Sequence, residues 1–207
     1  MREEIFSSIA TQLPELCRIA DDIYDHPEKG FTEYRAQNLL CSYLEKNGFS
    51  VQRGAGGVET AFRAQYQNGV GGPVIGMYCE YDCLPIGHAC GHHLQGPGVM
   101  GAAVAVKECL RDPAKPYTLV LYGTPAEEGG GGKIPMIANG CFRELDVIFG
   151  AHAGAETTTD PRTYAANTYT VRFRGKAAHT AHPEDRLYSP GNILLLYILH
   201  HLFLILM

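Results

Sequence analysis

The 207-residue chain lacks the marks of several large protein classes. It has no block of like charges, and its formal net charge is −5, so the basic footprint of a nucleic-acid binder is missing. Its opening, MREEIFSSIATQLPELC, mixes charged and apolar side chains and holds no uninterrupted apolar core of a secretory signal. The apolar run ILLLYILHHLFLILM has 15 residues, short of the roughly 20 that a membrane helix needs, so membrane attachment is not expected. No C-x-x-C pair occurs, and the seven cysteines are odd in number. A disulfide framework is therefore not expected, and the reading is a reducing, cytoplasmic setting in which most thiols are inert and buried. Internal repeats and low-complexity segments are also missing.

What is present suits a layered domain. Apolar residues make up 45% of the chain, enough for a real core. Helical spacing of Ile5, Ile9, Leu13, Leu16, Ile19 and Ile23 predicts a helix over 3–25, with Pro14 as a break or restart. A second helix is expected over 32–47, stopped by Gly48. Strands are expected at 49–53, 60–67, 73–79, 117–123 and 145–152, with a small-residue helix over 96–110 and a short helix after the glycine run at 129–132. The apolar run 73–79 reads as a strand buried on both faces. This order predicts an α/β layered domain with a largely parallel central sheet. Ligands of such sheets gather at the carboxyl ends of strands, where Glu80–Asp82, Glu127–Glu128 and His152 are placed. Near residue 160 the pattern changes, and residues 167–179 alternate like a half-exposed strand of a second unit. The expected division is 1–160 and 161–207.

The densest chemistry lies in GHACGHH, residues 87–93. Thiolate and imidazole are good ligands for zinc and its neighbours, and Cys90 and His92 sit two apart on what reads as a glycine loop. Taken alone, this stretch equally suits a buried thiol beside surface histidines. TPAEEGGGGK adds two adjacent carboxylates, Glu127 and Glu128, after a buried strand. On an irregular loop one can hold a cation while its neighbour stays free to take a proton from water. A solvated acidic turn is the plainer alternative. His152 ends another strand, and Asp82 could either ligate or orient a ligating histidine. Together Cys90, His92, Glu128 and His152 form a mixed sulfur, nitrogen and oxygen donor set.

Five collinear stretches carry a family resemblance: HPEKGFTEY (26–34), EYDCLPIGHACGHH (80–93), GTPAEEGGGGK (123–133), LDVIFGAH (145–152) and GKAAHTAHPE (175–184). They resemble the amidohydrolase and aminoacylase branch of the M20 metallopeptidase family, and most of all its aminobenzoyl-glutamate hydrolase and dipeptidase group. The resemblance implies a pair of divalent ions, zinc or manganese with cobalt also fitting. It implies Cys90 as bridging ligand, His92, Glu128 and His152 as ligands, and Glu127 as general base. Asp82 would support a ligand, and His179 would contact the substrate. It further implies hydrolysis of small amides or dipeptides, of N-acyl amino acid, dipeptide or aminobenzoyl-glutamate type. A lid or dimerisation domain of α+β build, begun at 161–207, and a homodimer are implied as well.

The sequence departs from that pattern in places. His93 stands where this branch usually has Asn or Asp and is read as a spectator. Pro85 runs directly into Ile86-Gly87, where relatives commonly carry one more residue. The expectation is a C-terminally truncated chain without the final histidine ligand, with impaired activity. A non-catalytic metal-binding remnant, or a regulatory partner of a longer paralogue, is the alternative.

Overall fold

The structure, a computed structural model, describes residues 1–159 together with Arg172 and Arg174. Residues 1–157 form one compact unit. The chain runs α1 (Arg2–Asp25), α2 (Tyr34–Lys46), β1 (Ser50–Arg53), β2 (Phe62–Asn68), β3 (Val74–Cys79), α3 (His92–Cys109), β4 (Tyr117–Gly123), α4 (Lys133–Ala138) and β5 (Val147–Phe149). Apart from Arg172 and Arg174, the strand expected over 167–179 lies outside the described residues, as do His179 and the apolar tail 192–207.

These five strands form one sheet in the order β1-β2-β4-β3-β5. β3 pairs in parallel with β4 and with β5. β1 with β2 and β2 with β4 pair antiparallel, so the sheet is mixed and its parallel half is β4-β3-β5. The three strands expected to carry polar ends are those of the parallel half. Their carboxyl ends therefore open on the same edge of the sheet.

Helix α1 is continuous through Pro14, contrary to the break expected there. Pro14 lies on the exposed side, where the carbonyl it leaves unpaired can reach water. Leu16, Ile19, Ala20 and Ile23 bury the other face and hold the helix together. Helix α3 packs on α1 through small residues. A Cβ at Gly101 would stand 2.6 Å from Leu16 Cδ1, so the close approach of the two helices needs glycine there. The larger core joins α1, α2 and α3 to the sheet through Leu40, Leu44, Met100, Val104, Leu119 and Leu121. A smaller cluster of Val120, Tyr122 and Met136 lies under α4. Three cysteines, Cys41, Cys79 and Cys83, are buried, while Cys17 is exposed and the other three are half-buried.

Candidate metal centre

Three loops, each leaving the carboxyl end of a parallel strand, supply the site. The first leaves β3 as Glu80-Tyr81-Asp82 and returns through Cys90 to α3. His92 is the first residue of that helix rather than part of a free loop. Gly91 makes this possible. It caps α3 with φ at 91°, and a Cβ there would meet Ala153 Cβ at 2.8 Å. Glycine thus lets the loop carrying Cys90 and the loop carrying His152 come into contact.

The second loop leaves β4 and turns sharply at Ala126, whose φ of 57° is left-handed. Such a conformation in a residue with a Cβ costs about 1–3 kcal/mol and persists only where surrounding contacts enforce it. Gly132 closes the same turn, where a Cβ would fall 2.0 Å from the Pro125 carbonyl oxygen. Glu127 and Glu128 follow Ala126. The backbone N–H of Glu128 donates to Asp82 Oδ2 at 2.9 Å, which ties this loop to the first. The third loop leaves β5 and carries His152.

The side chains converge on His92, which is buried at 1% exposure. Its Nε2 lies 3.2 Å from His152 Nε2 and 3.9 Å from both Glu127 Oε2 and Glu128 Oε1. Cys90 Sγ lies 3.5 Å from His152 Nε2. One atom each from Cys90, His92 and His152 falls within a 4.8 Å span, as does one each from His92, Glu127 and Glu128. The two groups share His92. Burial pushes the Cys90 thiol up to about 11, and the neighbouring Glu128, Glu127 and Glu80 carboxylates push the same way. Burial works against a charged His92, but its bonds to Asp82 and the nearby Glu80 carboxylate outweigh that and raise its pKa above the ordinary value. Burial also opposes a charged Asp82. His92 and the N–H groups of Glu128 and Glu127 prevail and hold its carboxyl below the usual range.

The ring nitrogens show whether a cation fits. His152 Nδ1 lies 2.7 Å from the Ala153 carbonyl oxygen, which can only accept, so that nitrogen carries the proton. His92 Nδ1 lies 3.0 Å from the Asp82 carbonyl oxygen and carries its proton for the same reason. In their neutral forms both rings therefore turn a bare Nε2 lone pair toward the other. Lone pairs 3.2 Å apart repel unless a positive charge joins them. Glu128 Oε1 is buried without a hydrogen-bond partner among the described residues. Orphaned acceptors of this kind are costly unless a cation or proton satisfies them. The thiol, imidazole and carboxylate donors thus fit a borderline divalent ion. Capture by a cation would displace the proton that Cys90 otherwise keeps.

Three neighbours of the site were assigned no role from the sequence. Glu80 is buried, its Oε2 is 3.6 Å from His92 Nε2, and its Oε1 pairs with Lys133 at the start of α4. Glu33 is fully buried and bonds to the Ala126 N–H at 2.8 Å. Glu80 was marked only by its place beside Asp82 at a strand end, and Glu33 and Lys133 only by falling inside HPEKGFTEY and GTPAEEGGGGK, which gave neither a role. His93 packs against Tyr24 and His88, with ring centroids 5.0 and 5.5 Å apart, and belongs to neither donor group. A cleft of about 320 Å³ adjoins Glu128, with Lys29, Phe31, Asp82 and Cys83 among its walls. A larger apolar hollow of about 570 Å³ between α4 and β5 shares none of its lining residues with the two donor groups.

Comparison with known proteins bears on this geometry. Residues 82–189 match the model of Peptidase family M20/M25/M40. The chain is 38% identical over 182 residues to a p-aminobenzoyl-glutamate hydrolase polypeptide of Escherichia coli, covering 79% of this chain and 37% of that one. It is 37% identical over 194 residues to Xaa-Arg dipeptidase of Homo sapiens, covering 86% of this chain and 44% of that one. Among solved structures, a dinuclear metal-binding peptidase of the M20 family from Bacillus subtilis shares the fold. Its TM-score is 0.59 at 24% identity, over 67% of this chain and 42% of that one. The chain spans less than half the length of these relatives.

Proposed function

Since this chain belongs to peptidase family M20/M25/M40, we propose that it serves as a metal-dependent hydrolase of amide or peptide bonds in small substrates. The substrate classes in view are N-acyl amino acids, dipeptides and aminobenzoyl-glutamate conjugates, in keeping with what its relatives are named for. Cys90, His92, Glu128 and His152 would hold two divalent ions, zinc or manganese by donor preference, with cobalt as a third fit. When bound, such ions supply a Lewis acid for the amide carbonyl and make a nearby water acidic.

The chain's own residues do the rest. Asp82 keeps His92 in the tautomer that leaves Nε2 free, through the carbonyl at 3.0 Å and the carboxylate at 3.3 Å. Glu127 stands beside the cluster with 42% of its side chain exposed, so it can meet both solvent and substrate. As general base, its Oε2 takes a proton from the attacking water, and the same carboxyl returns it to the departing amine. His179, outside the described residues, is the proposed contact to the substrate's carbonyl or carboxylate. Residues 161–207 are proposed as the beginning of a lid or dimerisation unit, the protein as a homodimer, and its site of action as the cytoplasm.

The observation that carries this reading is the pair of imidazole Nε2 atoms 3.2 Å apart, with a thiol and two carboxylates around them. The test is Glu127→Gln, assayed on a panel of N-acyl amino acids and dipeptides beside metal analysis by atomic emission. Turnover should fall by about 10²- to 10⁴-fold with metal content unchanged. Equal loss of metal and turnover would overturn the base assignment. Bound metal without any turnover in the unmodified chain would point to the non-catalytic role instead.

A further inference from the structure

Glu33 presents an unusual arrangement. It occupies the N-cap position of α2, yet it makes no side-chain cap to that helix. Glu28 fills the role instead, its two oxygens accepting the N–H groups of Arg35 and Ala36 at 2.9 Å each. Glu33 is thereby free to turn inward. Its Oε1 accepts the Ala126 N–H at 2.8 Å, and its Oε2 accepts the Thr60 hydroxyl at 2.8 Å. The carboxylate is completely buried. A carboxylate that deep is retained only where its partners compensate its lost hydration.

The partners have a pattern. Among the described residues only Phe31, Ala126 and Phe142 combine a side chain with positive φ. Glu33 bonds the amide of one of these, Ala126; burial raises its pKa above the ordinary carboxylate value, and the Thr60 hydroxyl and the amides of Ala126 and Phe31 oppose that shift without cancelling it. Phe31 forms a wall of the cleft beside Glu128, and a Cβ at Gly130 would strike its ring. Ala126 directly precedes Glu127 and Glu128. Thr60, the remaining partner, accepts the Tyr81 hydroxyl on its carbonyl oxygen at 2.6 Å, and Tyr81 lies between Glu80 and Asp82. One buried carboxylate thus reaches two of the strained backbone positions and both acidic loops.

We infer that Glu33 is a positioning residue: it holds Ala126 in its left-handed turn so that the carboxylates of Glu127 and Glu128 both face His92. The inference rests on the metal-site reading above and deepens it. Glu33 touches neither cation nor substrate and acts through the loop it anchors. Without its acceptor the Ala126 turn relaxes toward ordinary φ, and both glutamates swing with it.

Cobalt(II) binding to the full chain, measured by calorimetry, tests this without recourse to turnover. Glu33→Met keeps the length of the side chain and removes both acceptors. It should weaken cobalt binding about 10- to 100-fold, the range for outer partners of a metal site. Glu128→Gln should weaken it as well, and the double variant should bind no worse than Glu128→Gln alone, because one residue acts through the other. A merely structural role would lower thermal stability and leave cobalt affinity unchanged, or would multiply the two losses. Either result overturns the inference. Should Glu33→Met fail to fold, Thr60→Val removes a single partner of the carboxylate and should weaken cobalt about 2- to 10-fold. Unchanged affinity in that variant also overturns it. Cobalt uptake by the unmodified chain that Glu33→Met fully matches sinks only this inference. No uptake by the unmodified chain sinks the metal-site reading and the inference together.

Discussion

The two imidazoles of the cluster are carried by very different supports. His92 begins an 18-residue helix packed against α1 and the sheet, and its own ring is buried. His152 follows β5, a three-residue strand at the edge of the sheet with Val147, Ile148 and Phe149 all exposed. One ligand is set by a packed core, while the other depends on a short ladder to β3 and the contacts of its loop. The helix-borne half therefore defines the geometry. The edge-borne half joins it where Gly91 meets Ala153, and it is the part that a bound cation would order most.

The core half gives the largest expected effect. Leu121 has no exposure at the centre of β4, and Leu121→Ala should lower unfolding free energy by about 2–5 kcal/mol, read by urea denaturation. A loss below about 1 kcal/mol would mean that the helix-covered core is not the rigid support described. Next comes Asp82→Asn, which weakens the hold on the His92 tautomer. Divalent-ion affinity should drop about 10- to 100-fold by calorimetry, with the fold retained by circular dichroism. Full affinity in this variant would show that the helix start alone orients His92.

A smaller effect concerns the anchor that leads into β5. Glu144 accepts both Arg63 Nε and Nη2 at 2.7 Å and the Tyr122 hydroxyl at 2.8 Å. The Arg63 guanidinium holds the Glu144 carboxyl below the usual range, against burial. A lowered carboxyl pKa stabilises the fold above the unfolded value of about 4.3 and loses that contribution as pH falls through the folded one. Stability from this pair should hold from neutral pH to about pH 5 and fade below it. Since Glu144 is over a third exposed, the contribution is at most about 1 kcal/mol. Thermal melts of Arg63→Met should show a shallower decline between about pH 5 and pH 3 than the unmodified chain. Parallel declines would remove the pair from the account. Smallest is Phe149→Ala at the exposed edge, expected to cost about 0.5 kcal/mol or less in the same denaturation assay. A cost near that of Leu121→Ala would erase the contrast between the two supports.

Much of the fold was legible in the pattern of apolar residues, because helices and buried strands repeat with their own periods. The strands and helices of residues 1–159 fall close to where that pattern puts them. Pro14 did not stop α1 because packing of Leu16, Ile19 and Ile23 outweighs one missing bond on a wet face. The start of α3 was placed four residues late, because a left-handed glycine followed by two histidines gives no helical signal. The antiparallel half of the sheet is a matter of long-range pairing that local periodicity does not encode. At the site, cysteine, histidine and paired glutamates announce themselves by type. Glu33, Glu80 and Lys133 do not, since their burial and partners exist only once distant loops meet.

Cobalt(II) titration followed by absorption spectroscopy tests the central claim most directly, that Cys90, His92, Glu128 and His152 together form a cation-binding centre. A thiolate bound to cobalt gives an intense near-ultraviolet charge-transfer band. The account predicts a band that saturates with added cobalt in the unmodified chain and disappears in Cys90→Ser. No such band, or one that Cys90→Ser leaves intact, would contradict it.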